Sequence, residues 1–303
     1  MKLLRLTCLF AIFLCFYQTI PSAGQTIFPH FYVKSSNPAF SRQVGEISEK
    51  AYQKASSYLN FQIPQKINMV ITDDDSEFDR IVGEELPHWS IACAIPSRNL
   101  IVLKSPDRSQ YRKSLEEVIY HEVAHIFLTG YLKDSTIPVW MNEGFAVWFS
   151  ETWGWSEKLV VARAVLTGSI IQLPAVDSIW SFRESKAQLA YAQSFRAVSY
   201  LETEYQPGTF RLILSTYKDG ESLDRAFFET IGLTYGGFQK EFEASLKSKY
   251  NWLGILTDSG MWWTALALIF ILLYLLKRRR SRKIIQQWEK EDRGLAPKDS
   301  DSF

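Results

Sequence analysis

The sequence predicts an α+β fold on three observations. Short alternating apolar runs are confined to the first third of the chain, helical spacing takes over after residue 105, and 303 residues at 47% hydrophobic and 22% charged can bury a sizeable core. Taken in order, "TIFPHFYVKS" (26–35) reads as a strand, 40–60 has helical spacing, "KINMVITDD" (66–74) is a second strand and "EFDRIVGEE" (77–85) a short helix. "SIACAI" (90–95) and "NLIVLK" (99–104) form a hairpin around Pro96–Asn99. Helices are then expected over 110–131, 138–152, 155–167, 186–205, 208–217, 221–230 and 235–249. The predicted architecture is a small N-terminal sheet followed by a helical C-terminal half.

Both ends of the chain carry targeting patterns. "MKLLRLTCLFAIFLCFYQTI" places Lys2 and Arg5 ahead of an apolar run, and Ser22, Ala23 and Gly24 follow. That is the pattern of a secretory signal peptide over 1–24, with an uncleaved anchor as the alternative. At the other end, 257–276 reads as a transmembrane helix. Its segment 259–276 is 18 uncharged residues, about 27 Å of helix and close to bilayer thickness. "KRRRSRK" (277–283) follows as a cytoplasmic stop-transfer flank, and Trp262 and Trp263 mark the opposite interface. The expected topology is a catalytic-size domain over 25–256 outside the cytoplasm, periplasmic or extracellular, and a basic tail over 277–303 inside.

Charge and cysteine content narrow the partners. Residues 25–258 carry 23 Lys and Arg against 28 Asp and Glu, a net of −5, so nothing in the exported part suggests a nucleic-acid surface. The expected partners are the bilayer and whatever the exported domain binds. Only Cys93 lies outside the signal segment, so no internal disulfide is available and the core must hold the domain.

"YHEVAHIFLTG" (120–130) holds two of the four histidines at i and i+4. One helical turn separates them, so both imidazoles project from one face and can reach one ion. Glu122 sits about 100° around the helix, which suits a base beside the metal and not a third ligand. A catalytic zinc site needs three protein ligands and an open position. The next helix, in "PVWMNEGFA" (138–146), offers Glu143 beneath the two histidines if the helices pack side by side.

With H-E-x-x-H followed by a tryptophan-containing N-E-G-F-A block, the sequence resembles the gluzincin metallopeptidases, especially the aminopeptidase N family. The resemblance implies a gluzincin-like catalytic domain that hydrolyses peptide bonds in a peptide or protein substrate. It assigns Zn²⁺ to His121, His125 and Glu143 and general-base work to Glu122. Trp140, Asn142, Gly144, Phe145 and Ala146 match as surrounding pattern. Seventeen residues separate His125 from Glu143, one fewer than is usual in that family, which a shorter loop absorbs. By position in the family order, "NLIVLK" would be the substrate-lining edge strand and Tyr191 the donor to the developing oxyanion. The G-x-M-E-N motif with which the aminopeptidases grip a free amine is missing, and Glu84 and Glu85 adjoin no such pattern, so endopeptidase action is expected.

His30 and His88 have no ligand spacing and read as ordinary surface or core residues. Asp73, Asp74 and Asp75 resemble a calcium run, but an acidic helix N-terminus explains them better. The reading is a membrane-anchored zinc metallopeptidase. Its rival is a binding or scaffolding membrane protein of the same fold that has lost turnover.

Overall fold

The structure, a computed structural model, describes residues 24–83, 90–105, 113–133, 135–151, 154–250 and 259–295. The expected signal peptide up to Ala23, Glu84, Glu85, His88 and the tail beyond 295 lie outside the described residues.

The segment expected to form one first strand is a hairpin, β1 (Gln25–Ile27) against β2 (Phe31–Lys34). Pro29 lacks the N–H that a continuous ladder needs, and the Phe28 N–H donates to the Phe31 carbonyl (2.9 Å) across the turn. Helix α1 (Pro38–Leu59) begins at Asn37, whose side chain accepts from the N–H groups of Ala39 and Phe40. It leads to β3 (Ile67–Thr72), parallel to β2. The acidic run then starts α2 (Asp75–Val82). Asp74 caps it by accepting from the Ser76 N–H (2.8 Å), and Asp75 pairs with Lys104 (3.0 Å). Strands β4 (Ala92–Ile95) and β5 (Leu100–Lys104) form the expected hairpin, closed by a 3₁₀ turn at Pro96–Arg98 and by Asn99 in the left-handed region.

The sheet order is β1-β2-β3-β5-β4, with β5 parallel to β3. Side chains alternate cleanly between its faces. Ile67, Met69, Ile71, Ile101 and Leu103 enter the main core, which α1 and α3 complete, while Leu100 and Val102 meet Phe78 of α2 on the other face. Strand β5 is therefore interior and β4 is the edge, which corrects the placement of the substrate-lining edge at "NLIVLK". A strand paired on both sides has no backbone groups left for a peptide. The continuous apolar run Leu100–Leu103 is itself the mark of a strand buried on both faces.

The helical half is α3 (Leu115–Leu132), α4 (Val139–Phe149), α5 (Trp155–Leu166), α6 (Glu184–Tyr200), α7 (Thr209–Lys218), α8 (Leu223–Ile231) and α9 (Tyr235–Lys249). A 3₁₀ segment, Leu173–Ser181, precedes α6, and a π-helical turn, Leu201–Tyr205, follows it. There the buried Glu202 carboxylate accepts from the N–H groups of Gly208 (2.7 Å) and Phe210 (2.9 Å) and from the Tyr58 hydroxyl (2.9 Å). It thus caps α7, whose own N-cap is a glycine, and ties α7 to α1.

A last helix, α10, runs unbroken from Ser259 to Leu295. Among the described residues no helix is long and apolar enough to cross a membrane. Side chains of α10 are described from Trp263 to Gln286 and at Trp288, and the uncharged stretch from Trp263 to Leu276 ends at Lys277, short of the 18 residues that the sequence offers from 259.

Candidate metal centre

Helix α3 carries the two histidines, and its start is strongly specified. Ser114 and Glu117 form a reciprocal capping box, the Ser114 hydroxyl accepting from the Glu117 N–H (3.2 Å) and the Glu117 carboxylate from the Ser114 N–H (2.8 Å). Val118, Ile119, Val123, Ile126 and Phe127 fix the rotation of the helix by burial. The faces of His121 and His125 that remain partly open then point toward α4.

Helix α4 is capped from a distance. Its first residue follows Pro138, which has no side-chain cap to offer, and the Val139 N–H donates instead to the Asp177 carboxylate (2.9 Å), 38 positions along the chain. The helix then packs on α6 at Gly144. A Cβ there would run into the backbone carbonyl of Ser194 and come within 2.9 Å of Val198. The missing side chain is what allows this approach, and it sets the depth of the neighbouring Glu143.

The three donors converge. Nε2 of His121 and of His125 are 3.2 Å apart, and a Glu143 carboxylate oxygen is 3.7 Å from the first and 3.8 Å from the second. A tetrahedral ion with bonds of about 2.0–2.1 Å spaces its ligand atoms by roughly 3.3 Å, so the donors fit one. The group could hold a metal ion. The ring of His125 is set by its other nitrogen, where Nδ1 lies 3.0 Å from Asn142 Oδ1. Because that oxygen can only accept, Nδ1 carries the proton and Nε2 presents its lone pair. Nδ1 of His121 is buried and completes no hydrogen bond, although the Ala146 carbonyl beside it favours its proton.

Burial dominates the electrostatics. It holds His121 well below the ordinary histidine value, helped by the charges of His125 and Lys113. The ring therefore stays neutral and able to bind a cation. Burial raises Glu143, against the opposing charges of His125 and Lys113. It pushes Glu122 up to about 6, with the Glu143 charge adding to it, while His125, an N–H from Ala94 of β4 and Lys113 pull the other way. A buried carboxylate with a raised pKa beside a three-donor cluster can take up and release a proton there.

Tyr191 lies in the third turn of α6. Its pKa is raised, first by burial and then by the charges of Glu143 and Glu122, so its hydroxyl stays protonated at the edge of the site. That hydroxyl makes no hydrogen bond to another described residue. His121, His125 and Glu143 are thus drawn from α3 and α4 into one place, and the charges of Glu122 and Glu143 reach Tyr191 of α6. Sequence reasoning missed Asp177, the Ala94 N–H and Lys113, none of which has a local pattern to betray it. Asn142 stood in the motif without a role. His30 is removed from the site and pairs with Glu49 (2.6 Å) while stacking on Tyr52.

The chain matches the peptidase MA superfamily over residues 47–248, from within α1 to the end of α9, and belongs to that superfamily. The match takes in β3, β4, β5 and the helices that carry the three donors, and leaves β1 and β2 outside it. A metallopeptidase-like domain acting on peptide or protein substrates follows from this membership. No curated protein matches the chain.

Proposed function

We propose that the protein is a zinc-dependent endopeptidase held at a membrane by α10. The observation that carries the proposal is the convergence of His121, His125 and Glu143, with the Glu122 carboxylate and the Tyr191 hydroxyl beside them.

Zinc held by His121, His125 and Glu143 would supply Lewis acidity, lowering the pKa of a water and polarising a carbonyl. Glu122, ionised above about pH 6, accepts the proton of the attacking water and delivers it to the departing amine. Tyr191 donates its O–H to the carbonyl oxygen as negative charge builds there. The peptide lies along β4. Because the Lys104 N–H bonds to the Ile91 carbonyl (2.9 Å), residues 91, 93 and 95 face β5, and Ala92 and Ala94 turn their N–H and C=O groups outward. The Ala94 N–H is engaged by Glu122, which leaves Ala92 and the Ala94 carbonyl for a docked strand.

Strand β4, "ACAI", contains no carboxylate to pair with a substrate's terminal amine, which supports internal cleavage. The membrane part of the proposal is supported by α10. Its described side chains from Trp263 to Leu276 are exposed and apolar all round, a surface that needs lipid or protein cover. The cations of 277–283 follow on what would be the cytoplasmic side.

The test uses the full-length protein in detergent, with metal analysis and mass spectrometry of products from paired amino-acetylated and free peptides. One zinc per chain and internal cuts in both peptides are expected. Stepwise loss of single residues from the free form alone would refute the endopeptidase assignment, and a metal-free active protein would refute the zinc. For topology, a reporter after Phe303 should be cytoplasmic and one near Ser215 outside; the reverse labelling would overturn the anchor.

A further inference from the structure

We propose that a cavity between α9 and the segment ahead of α6 binds a small apolar carboxylate, at a site separate from the three metal donors. The proposal does not depend on the peptidase reading.

The cavity has a volume of about 240 Å³. Its floor is apolar and buried, formed by Ile171, Leu173, Phe242 and Leu246. The wall on the α6 side is pinned by a buried amide. Gln193 accepts from the Ile171 N–H (2.9 Å) and donates to the Ile171 carbonyl (2.9 Å), a two-bond clasp that holds this wall in place before any ligand arrives. Gln193 follows Tyr191 by two positions, roughly 200° around α6, so the cavity and the metal centre lie on opposite sides of that helix. On the α9 side Gly236 leaves the mouth open. A Cβ there would meet no atom within 4 Å.

The polar groups call for an acceptor with negative charge. Gln239 lines the cavity, and its Nε2 is buried without a hydrogen bond. One turn back on α9, the Tyr235 hydroxyl meets the same amide and already accepts from Trp140 Nε1 (2.8 Å). The Tyr235 O–H and the Gln239 N–H groups are therefore two donors with no acceptor between them. Half a turn of the amide removes the conflict. Oε1 then accepts from Tyr235, and the N–H groups pass to the cavity side, where they need a partner. Lys240 is the cation among the lining residues, and the lining acid, Glu243, is held by Lys247 (2.8 Å). Amide donors and an ammonium above an apolar floor match a carboxylate on a short apolar body. A free acid has that chemistry, and so has the C-terminal residue of a peptide ending in an apolar side chain.

The experiment titrates the full-length protein in detergent, stripped of metal by a chelator so that no carboxylate binds at a zinc ion. The probes are isocaproate, isocaproamide, and the tripeptide Gly-Gly-Leu with a free or an amidated C-terminus, with binding read by ligand-observed NMR. The acid of the occupying pair should bind about fivefold more tightly than its amide, the scale of one exposed ion pair. Lys240→Gln should erase that preference, and Gln239→Leu should weaken acid binding by about tenfold or more, as for a lost hydrogen bond to a charged group. Gly236→Leu, which fills the mouth, should abolish binding; the exposed Lys240→Gln keeps the test decisive if that variant does not fold. Tighter binding of the tripeptide acid assigns the site to a peptide C-terminus, and tighter binding of isocaproate assigns it to a free acid. Undiminished binding in Gly236→Leu, equal affinity for acid and amide in the wild type, or binding that appears only when metal is restored overturns the proposal.

Discussion

The donor half of the site and the docking half proposed for it are built differently. His121, Glu122, His125, Asn142 and Glu143 all come from two consecutive helices, α3 and α4, within 23 residues of chain. The docking half comes from β4 on one side and Tyr191 of α6 on the other, roughly 30 residues before and 50 residues after. The first is encoded as spacing, because one turn of helix converts i and i+4 into a shared face. The second is encoded only in which strand ends up at the edge of the sheet and which helix packs on α4.

Four substitutions test whether that division is also a division of labour. Glu122→Gln should cost about 10²–10⁴ in kcat, the range for a positioned acid–base group, and leave bound zinc unchanged. In the wild type the base must be ionised, so kcat/KM should fall as pH drops through about 6, the value to which burial pushes Glu122. A bound cation lowers that limb and does not raise it, so a limb well above 6 would exclude Glu122. Tyr191→Phe should lose about 10²-fold in kcat with little change in zinc content, as for other single oxyanion donors. Zinc loss there would mean that α6 belongs to the donor half after all.

Asn142→Ala attacks the donor half indirectly. Freeing His125 Nδ1 should weaken metal binding by about 10–100-fold, read by chelator competition. Unchanged affinity would show that packing alone holds the ring. Gly144→Ala touches both halves, since the added methyl must push α4 from the Ser194 carbonyl. Overpacking of this kind costs about 1–3 kcal/mol in denaturant unfolding. Gly130→Ala is the control, because its methyl would meet Phe61 at an ordinary 3.4 Å. It should be neutral or mildly stabilising, and equal losses in the two variants would remove the special role of Gly144.

The smallest effect is on the metal-free protein. Glu122 has its folded pKa raised, so its ionised form is penalised by folding. The penalty develops between about pH 4.5 and 6 and is full above 6. Glu122→Gln should therefore stabilise the apoprotein at pH 8 by about 1–2 kcal/mol and not at pH 4.

Much of the molecule could be read from residues alone, for reasons that differ by element. Helices α5, α7 and α9 fall within a residue or two of their expected limits because each follows a turn residue and carries a buried stripe: Gly154 precedes α5, Gly208 precedes α7, and Thr234 caps α9. The break at Phe28–His30 was marked by Pro29 and overlooked inside an apolar run. The β4 edge was readable in principle, since Leu100–Leu103 is bulky and apolar at every position and "ACA" offers only small side chains. Asp177 was not readable at all. Its partner is the backbone N–H of Val139, and a backbone group leaves no trace in sequence.

The outward groups of β4 recur at every second residue, at Ala92 and Ala94, and Glu122 is tethered to one of them. A peptide added to such an edge would hold one register at a time, because a slip of a single residue turns its hydrogen-bonding groups away from the strand and its side chains to the opposite face. To offer the next bond, an unstructured chain would have to leave the edge and return turned half a circle about its own axis.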